Sequence, residues 1–116
     1  MLEKFGIGID IVDVNRFREK SFEKNEKFYK KVFHDSEIRY CLSRANPSES
    51  FAARFAIKES VIKSIGTDID FLDILIDNVD AKPMVSLLDN TYNFLVSLSH
   101  EKSFAIAVVI AEKITK

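Results

Sequence analysis

The sequence predicts an α+β fold, a mainly antiparallel sheet packed against one long helix and shorter helices. Three observations lead there. Helical patterns cluster in the first half of the chain and strand patterns mostly in the second. The stretch FAARFAIKESVIKSIG, residues 51 to 66, has the apolar spacing of a long helix. The strand-like runs of the second half are joined by short turns, DAK and SHEKS.

The first element, FGIGIDIVDV, reads as a strand. Side chains alternate across a strand, so Phe5, Ile7, Ile9 and Ile11 share one face and Gly6, Gly8, Asp10 and Val12 the other. NRFREKSFEKNEKFYKKVF is polar and basic, with phenylalanines at 17, 22, 28 and 33, and predicts one or two short amphipathic helices. HDSEIRYCLSR predicts another, capped by Asp35 or Ser36. Ser48 or Ser50 is the expected cap of the long helix over 51–65, and Gly66 its stop. Strands follow at DFLDILIDNV, PMVSLL, TYNFLVSLSH and FAIAVVIAEK.

The chain is expected to be a single domain over residues 1–116 with a modest core. No apolar run approaches the roughly 20 residues of a membrane span, so no membrane partner is expected. The start MLEKFGIGID lacks the layout of a signal peptide. One cysteine, Cys41, cannot close an internal disulfide, which points to a reducing cytoplasm. The net charge of −1 conceals an asymmetry. Residues 15–63 hold 12 Lys/Arg against 7 Asp/Glu, and residues 64–116 hold 4 against 8. A basic half favours an anionic partner, although solvated helix faces give the same count. RNP-type aromatics, a zinc motif and a strong positive net charge are all missing, which speaks against nucleic acid.

Two carboxylates stand out by context. Glu59 falls within the apolar arc formed by Phe51, Ala52, Phe55, Ala56 and Ile62. A charge there needs a partner, because burying it bare is costly. Lys63, one turn on, is one candidate and a metal ion is another. Arg54 and Lys58 sit together on a different side of the helix. Asp10 shares its strand face with Gly6 and Gly8. Either a helix packs closely on the glycines with Asp10 capping it, or the open face receives a ligand. His100 falls near a turn, and no HxH or HExxH spacing supports zinc. Two carboxylates and few histidines suit a hard cation such as Mg²⁺. A Mg²⁺-dependent nucleotide hydrolase and a non-catalytic binding module remain rival readings of these residues.

The segments GIGIDIVDVNRF, FAARFAIKESVIKSIG, KPMVSL and SLSHEKSFAIAVVIAE, in this order, resemble the small single-domain 4′-phosphopantetheinyl transferases of the holo-[acyl-carrier-protein] synthase type. The pairing of G-x-D near the start with F-x-x-K-E-[AS]-x-x-K in the long helix is the specific part. The family's usual Gly-Lys-Pro turn is here Ala81-Lys82-Pro83. The resemblance implies transfer of the 4′-phosphopantetheine arm of coenzyme A to a serine of apo acyl carrier protein. It implies Asp10 and Glu59 as ligands of Mg²⁺, and Lys63 as support for the substrate phosphates. Arg54 and Lys58 would meet phosphate or a subunit contact. Lys82, Pro83 and His100 would hold the nucleotide end, contributed by a neighbour in a homotrimer whose active sites lie at subunit interfaces. Arg16 would dock the acidic carrier protein, with Lys20, Lys24 and Lys27 as further docking candidates.

Overall fold

The structure, a computed structural model, describes residues 2–79 and 82–114. The departure at Ala81 therefore lies outside the described residues. A 3₁₀ turn, Leu2–Lys4, leads into β1, Phe5–Asp13. Three short helices follow: α1 Asn15–Arg18, α2 Glu26–Val32 and α3 Asp35–Ser43. The long helix α4 runs from Pro47 to Ile65. Four strands complete the chain: β2 Ile74–Val79, β3 Lys82–Leu87, β4 Tyr92–His100 and β5 Phe104–Lys113.

The strands make two antiparallel sheets among the described residues. One has three strands in the order β1-β5-β4, and the other is the hairpin β2-β3. The expected α+β class holds, with the sheet divided. Element ends also differ from the sequence reading. α4 begins a turn earlier, because Pro47 occupies its first position, where the absent N–H costs nothing. His34 and not Asp35 or Ser36 precedes α3, and its backbone N–H donates to Glu37 Oε1 at 2.9 Å. Residues Phe71–Asp73 form a 3₁₀ turn because Asp70 Oδ1 accepts from the Leu72 N–H at 3.1 Å, so β2 starts at Ile74. Gly66 closes α4 at φ 69°, a left-handed conformation suited to glycine.

Small residues let α4 lie very close to the sheet. Ala105, Ala107, Val109 and Ala111 of β5 are all buried beneath it. A Cβ built at Gly8 would stand 2.0 Å from the Ser60 carbonyl oxygen, and one at Gly6 would stand 1.7 Å from that of Ser64. Ser60 Oγ donates to the Ala107 carbonyl at 3.1 Å, tying the helix to the central strand. The helix packs closely on the glycine face as one sequence reading expected, but Asp10 does not cap it and instead accepts from Lys63.

The phenylalanines of the basic segment build the rest of the core. Phe17 meets Phe33, Phe51 and Phe55 with ring centroids 6.4, 6.3 and 5.7 Å apart. The opposite face of the sheet is uncovered. The cross-strand rank Ile7, Ile110 and Leu95 is exposed, as are Ile9, Ile11, Phe104 and Ile106.

Candidate active site

Asp10 and Glu59 meet where β1 passes under α4. The alternation of β1 points Asp10 at the helix, on the face of Gly6 and Gly8. The close approach at the glycines then brings the carboxylate within reach of the helix side chains. Lys63 Nζ donates to Asp10 Oδ1 at 3.0 Å and to the Ile9 carbonyl at 3.0 Å. Lys63 thus pairs with the acid of the strand and not with Glu59, its neighbour one turn back. Glu59 is held above the usual carboxylate range, first by burial and then by the charge of Asp10. Lys63 and Arg16 partly offset these effects. Two carboxylates repelling each other beside cations form a site that favours additional positive charge.

The donor set fits a hard divalent cation. It offers carboxylate oxygens with no imidazole or thiol, and among the described residues no third Asp, Glu, His or Cys joins them. Such an ion keeps several water or substrate oxygens, which this sparse set allows.

Arg16 sits at the rim of this site, its guanidinium carbon 5.2 Å from the Phe55 ring centroid. Lys20, Lys24 and Lys27 line one shallow groove with Glu23, Glu26 and Phe28. Lys20 Nζ lies 4.1 Å from the centre of that ring.

A second concavity, a cavity of about 280 Å³, opens on the other side of α4. Ala53, Arg54 and Ile57 of the helix line it, with Pro83 of β3 and Leu98 and His100 of β4. Of the residues expected at a nucleotide, it therefore gathers Arg54, Pro83 and His100. Lys82, on the neighbouring position of β3, is exposed and does not line it. Tyr40, Arg44, Glu49 and Asn78 also line it and went unnoticed in the sequence. Arg54 and Arg44 flank the Tyr40 ring, their guanidinium carbons 4.5 and 5.5 Å from its centroid. His100 Nδ1 lies 3.3 Å from Glu49 Oε1.

Lys58 is a correction. Its side chain is fully buried and cannot reach a phosphate or a subunit surface. Its ammonium lies 2.8 Å from the Val32 carbonyl, 2.9 Å from Glu37 Oε1, 3.0 Å from the Phe71 carbonyl and 3.1 Å from the Ile74 carbonyl. Burial pulls its pKa down, and the Glu37 charge opposes that. Lys58 ties together α3, α4 and the start of β2. Cys41 is likewise structural, its thiol pushed up to about 12, chiefly by burial.

A helix thus crosses a glycine-faced strand, with paired carboxylates at the crossing and a polar cavity on its other side. The chain belongs to the 4′-phosphopantetheinyl transferase superfamily, whose model matches residues 6–109. It is 42% identical over 110 residues to the holo-[acyl-carrier-protein] synthase of Thermodesulfovibrio yellowstonii, covering 90% of this chain and 96% of that one. The corresponding synthase of Chlamydia trachomatis is 38% identical over 118 residues, covering 93% and 99%. Among solved structures, a holo-(acyl-carrier-protein) synthase from Bacillus anthracis in complex with CoA (3′,5′-ADP) superposes with a TM-score of 0.80 at 33% identity, covering 94% of this chain and 96% of that one. The Helicobacter pylori holo-[acyl-carrier-protein] synthase in complex with coenzyme A gives 0.80 at 32%, covering 91% and 99%.

Proposed function

We propose that the protein catalyses the holo-[acyl-carrier-protein] synthase reaction in fatty acid biosynthesis. The serine oxygen of an apo acyl carrier protein attacks the phosphorus bearing the pantetheine arm of coenzyme A. The bond from that phosphorus to the bridging oxygen breaks, the oxygen leaves with adenosine 3′,5′-bisphosphate, and the serine proton passes to water or a nearby carboxylate. The observation that carries this reading is the meeting of Asp10, Glu59 and Lys63 at the β1–α4 crossing, in a chain that matches the superfamily over most of its length.

Asp10 and Glu59 would hold a Mg²⁺ ion between them. When bound, the ion would neutralise charge on the pyrophosphate and its leaving oxygen. Lys63, half-exposed beside Asp10, is free to turn its ammonium to the same phosphates. The cavity at Arg54, Pro83 and His100 would receive the adenosine end, with cationic Arg44 and Arg54 suited to its phosphate.

The acid pair stands by the β1 edge of the sheet and the cavity by the β4 edge, with β5 and α4 between them. One coenzyme A reaches both most directly if the cavity belongs to a neighbouring chain. The bare isoleucine face of the sheet supports such an assembly, since contiguous exposed apolar surface marks an association site. The assembly proposed is a homotrimer, working in the cytoplasm. Arg16, Lys20, Lys24 and Lys27 give an acidic carrier protein a cationic approach to the acid pair.

The test is the intact mass of an apo acyl carrier protein incubated with coenzyme A, Mg²⁺ and this protein. A gain of one phosphopantetheine arm is expected. Unchanged mass across several carrier proteins would refute the assignment.

A further inference from the structure

The wall of the cavity is anchored to a carboxylate that never reaches it. Glu37, on α3, is buried, and its two oxygens have different surroundings. Oε1 accepts from Lys58 Nζ and from the His34 backbone N–H, both at 2.9 Å. Oε2 is buried without a hydrogen-bond partner among the described residues and lies 3.5 Å from Arg54 Nη1. Such an orphaned oxygen calls for an explanation, because a buried acceptor is normally paired. Its nearest cation is the guanidinium that lines the cavity.

Arg54 passes this restraint outward. Nη1 donates to the Ile76 carbonyl at 3.0 Å and Nη2 to Asn78 Oδ1 at 3.1 Å. Asn78 Nδ2 donates to the Tyr40 hydroxyl at 2.8 Å, and the Tyr40 ring stacks on the Arg54 guanidinium. One connected chain thus runs from Glu37 through Arg54 and Asn78 to Tyr40, and the last three line the cavity. The charges fit this role. Glu37 and Lys58 cancel, which leaves the positive charge of Arg54 for the cavity.

We propose that Glu37 is a positioning residue for the cavity. It fixes the plane of the Arg54 guanidinium and, through it, the Asn78 and Tyr40 wall that receives the phosphorylated adenosine of coenzyme A. The inference rests on reading the cavity as the nucleotide site.

Charge and position act in opposite directions here. Deleting the Glu37 charge makes the surroundings more positive and by electrostatics alone tightens the binding of an anion. Loss of position weakens it. Calorimetric titration with adenosine 3′,5′-bisphosphate reads the sign. Glu37→Gln should raise the Kd, and the KM for coenzyme A, about tenfold with kcat changed far less. Kd equal to or below that of the wild type would overturn the proposal.

Glu37→Gln also strands Lys58 and can fail to fold. The double variant Glu37→Gln/Lys58→Met removes both opposite charges, leaves the local net charge unchanged and restores a neutral pair. It should regain only part of the lost thermal stability, since the Val32, Phe71 and Ile74 carbonyls lose their Lys58 hydrogen bonds, and still bind about tenfold more weakly. Recovery of affinity together with stability would show that Glu37 serves the fold alone. The reading of the cavity has its own control in His100→Ala, in which Glu37 and Arg54 are untouched. Unaltered Kd there would overturn the cavity assignment and the proposal with it, whereas weakened binding there with a normal Kd in the double variant would overturn the role of Glu37 only.

Discussion

Lys63 Nζ spans the gap from α4 to β1 and lies 3.0 Å from Asp10 Oδ1. The pair is half in solvent, with Lys63 53% exposed and Asp10 17%. An ion pair of that kind contributes about 0.2–1 kcal/mol to stability. Lys63→Met should therefore shift the unfolding midpoint by a few degrees at most, while kcat/KM for coenzyme A falls about tenfold or more. Thermal unfolding and steady-state assays on one preparation check this. A variant with normal kcat/KM would show that Lys63 serves the fold and not the phosphates.

Glu59 links the site to pH. Its carboxyl is raised above the ordinary glutamate value of 4.5, so folding favours the protonated form. That contribution is fully present below 4.5 and is lost as pH rises through the folded value. In the presence of a chelator, the urea midpoint of Glu59→Gln minus that of the wild type should grow from pH 4 to pH 7. A difference that shrinks with pH would contradict the assigned direction. Adding Mg²⁺ at pH 7 should raise the wild-type midpoint and leave the variant nearly unmoved.

The proposed carrier docking and nucleotide binding should separate at Lys24. It lies in the groove with Lys20 and Lys27, away from the acid pair. Lys24→Glu should raise the KM for the acidic carrier protein several-fold at low salt, with the effect fading as salt rises. The KM for coenzyme A should stay level, and a parallel rise would refute the division. Arg16 is a less clean position, because its charge reaches Glu59 as well.

Gly8 tolerates no side chain. A methyl group there would sit 2.0 Å from the Ser60 carbonyl oxygen, a backbone atom that cannot swing aside. Gly8→Ala should cost about 3 kcal/mol, measured by urea unfolding, and lower activity by prising α4 from β1. A neutral substitution would mean that the two elements are further apart than described.

Asp10 and Glu59 could each be singled out from the chain because each carboxylate sits among apolar neighbours within a strong local period, and the family resemblance joined them. Asp10 alternates with glycines, and Glu59 lies in a helical arc. The cavity could not be read in this way. Tyr40, Arg44, Glu49 and Asn78 come from four separate elements or connections, and only the tertiary fold gathers them. Lys58 misled for a related reason. A helical wheel places it beside Arg54, but the wheel holds no record of what covers that side. In the structure α2, α3 and the turn before β2 close over it, and its carboxylate partner, Glu37, looks in sequence like any other helix acid. Alternation alone did not say which face of β1 is buried; size decides it, and the isoleucines look outward because the glycine side is the one flat enough for α4.

The glycine crossing joins two properties that are separate in most enzymes. Asp10 and Glu59 ride on backbones in direct contact, so their spacing is not a matter of loop length or side-chain choice. A backbone shift that moved one carboxylate relative to the other would have to pass through the close contact of Gly8 with Ser60. Inheritance of the fold and inheritance of the carboxylate spacing are, in this small chain, the same event.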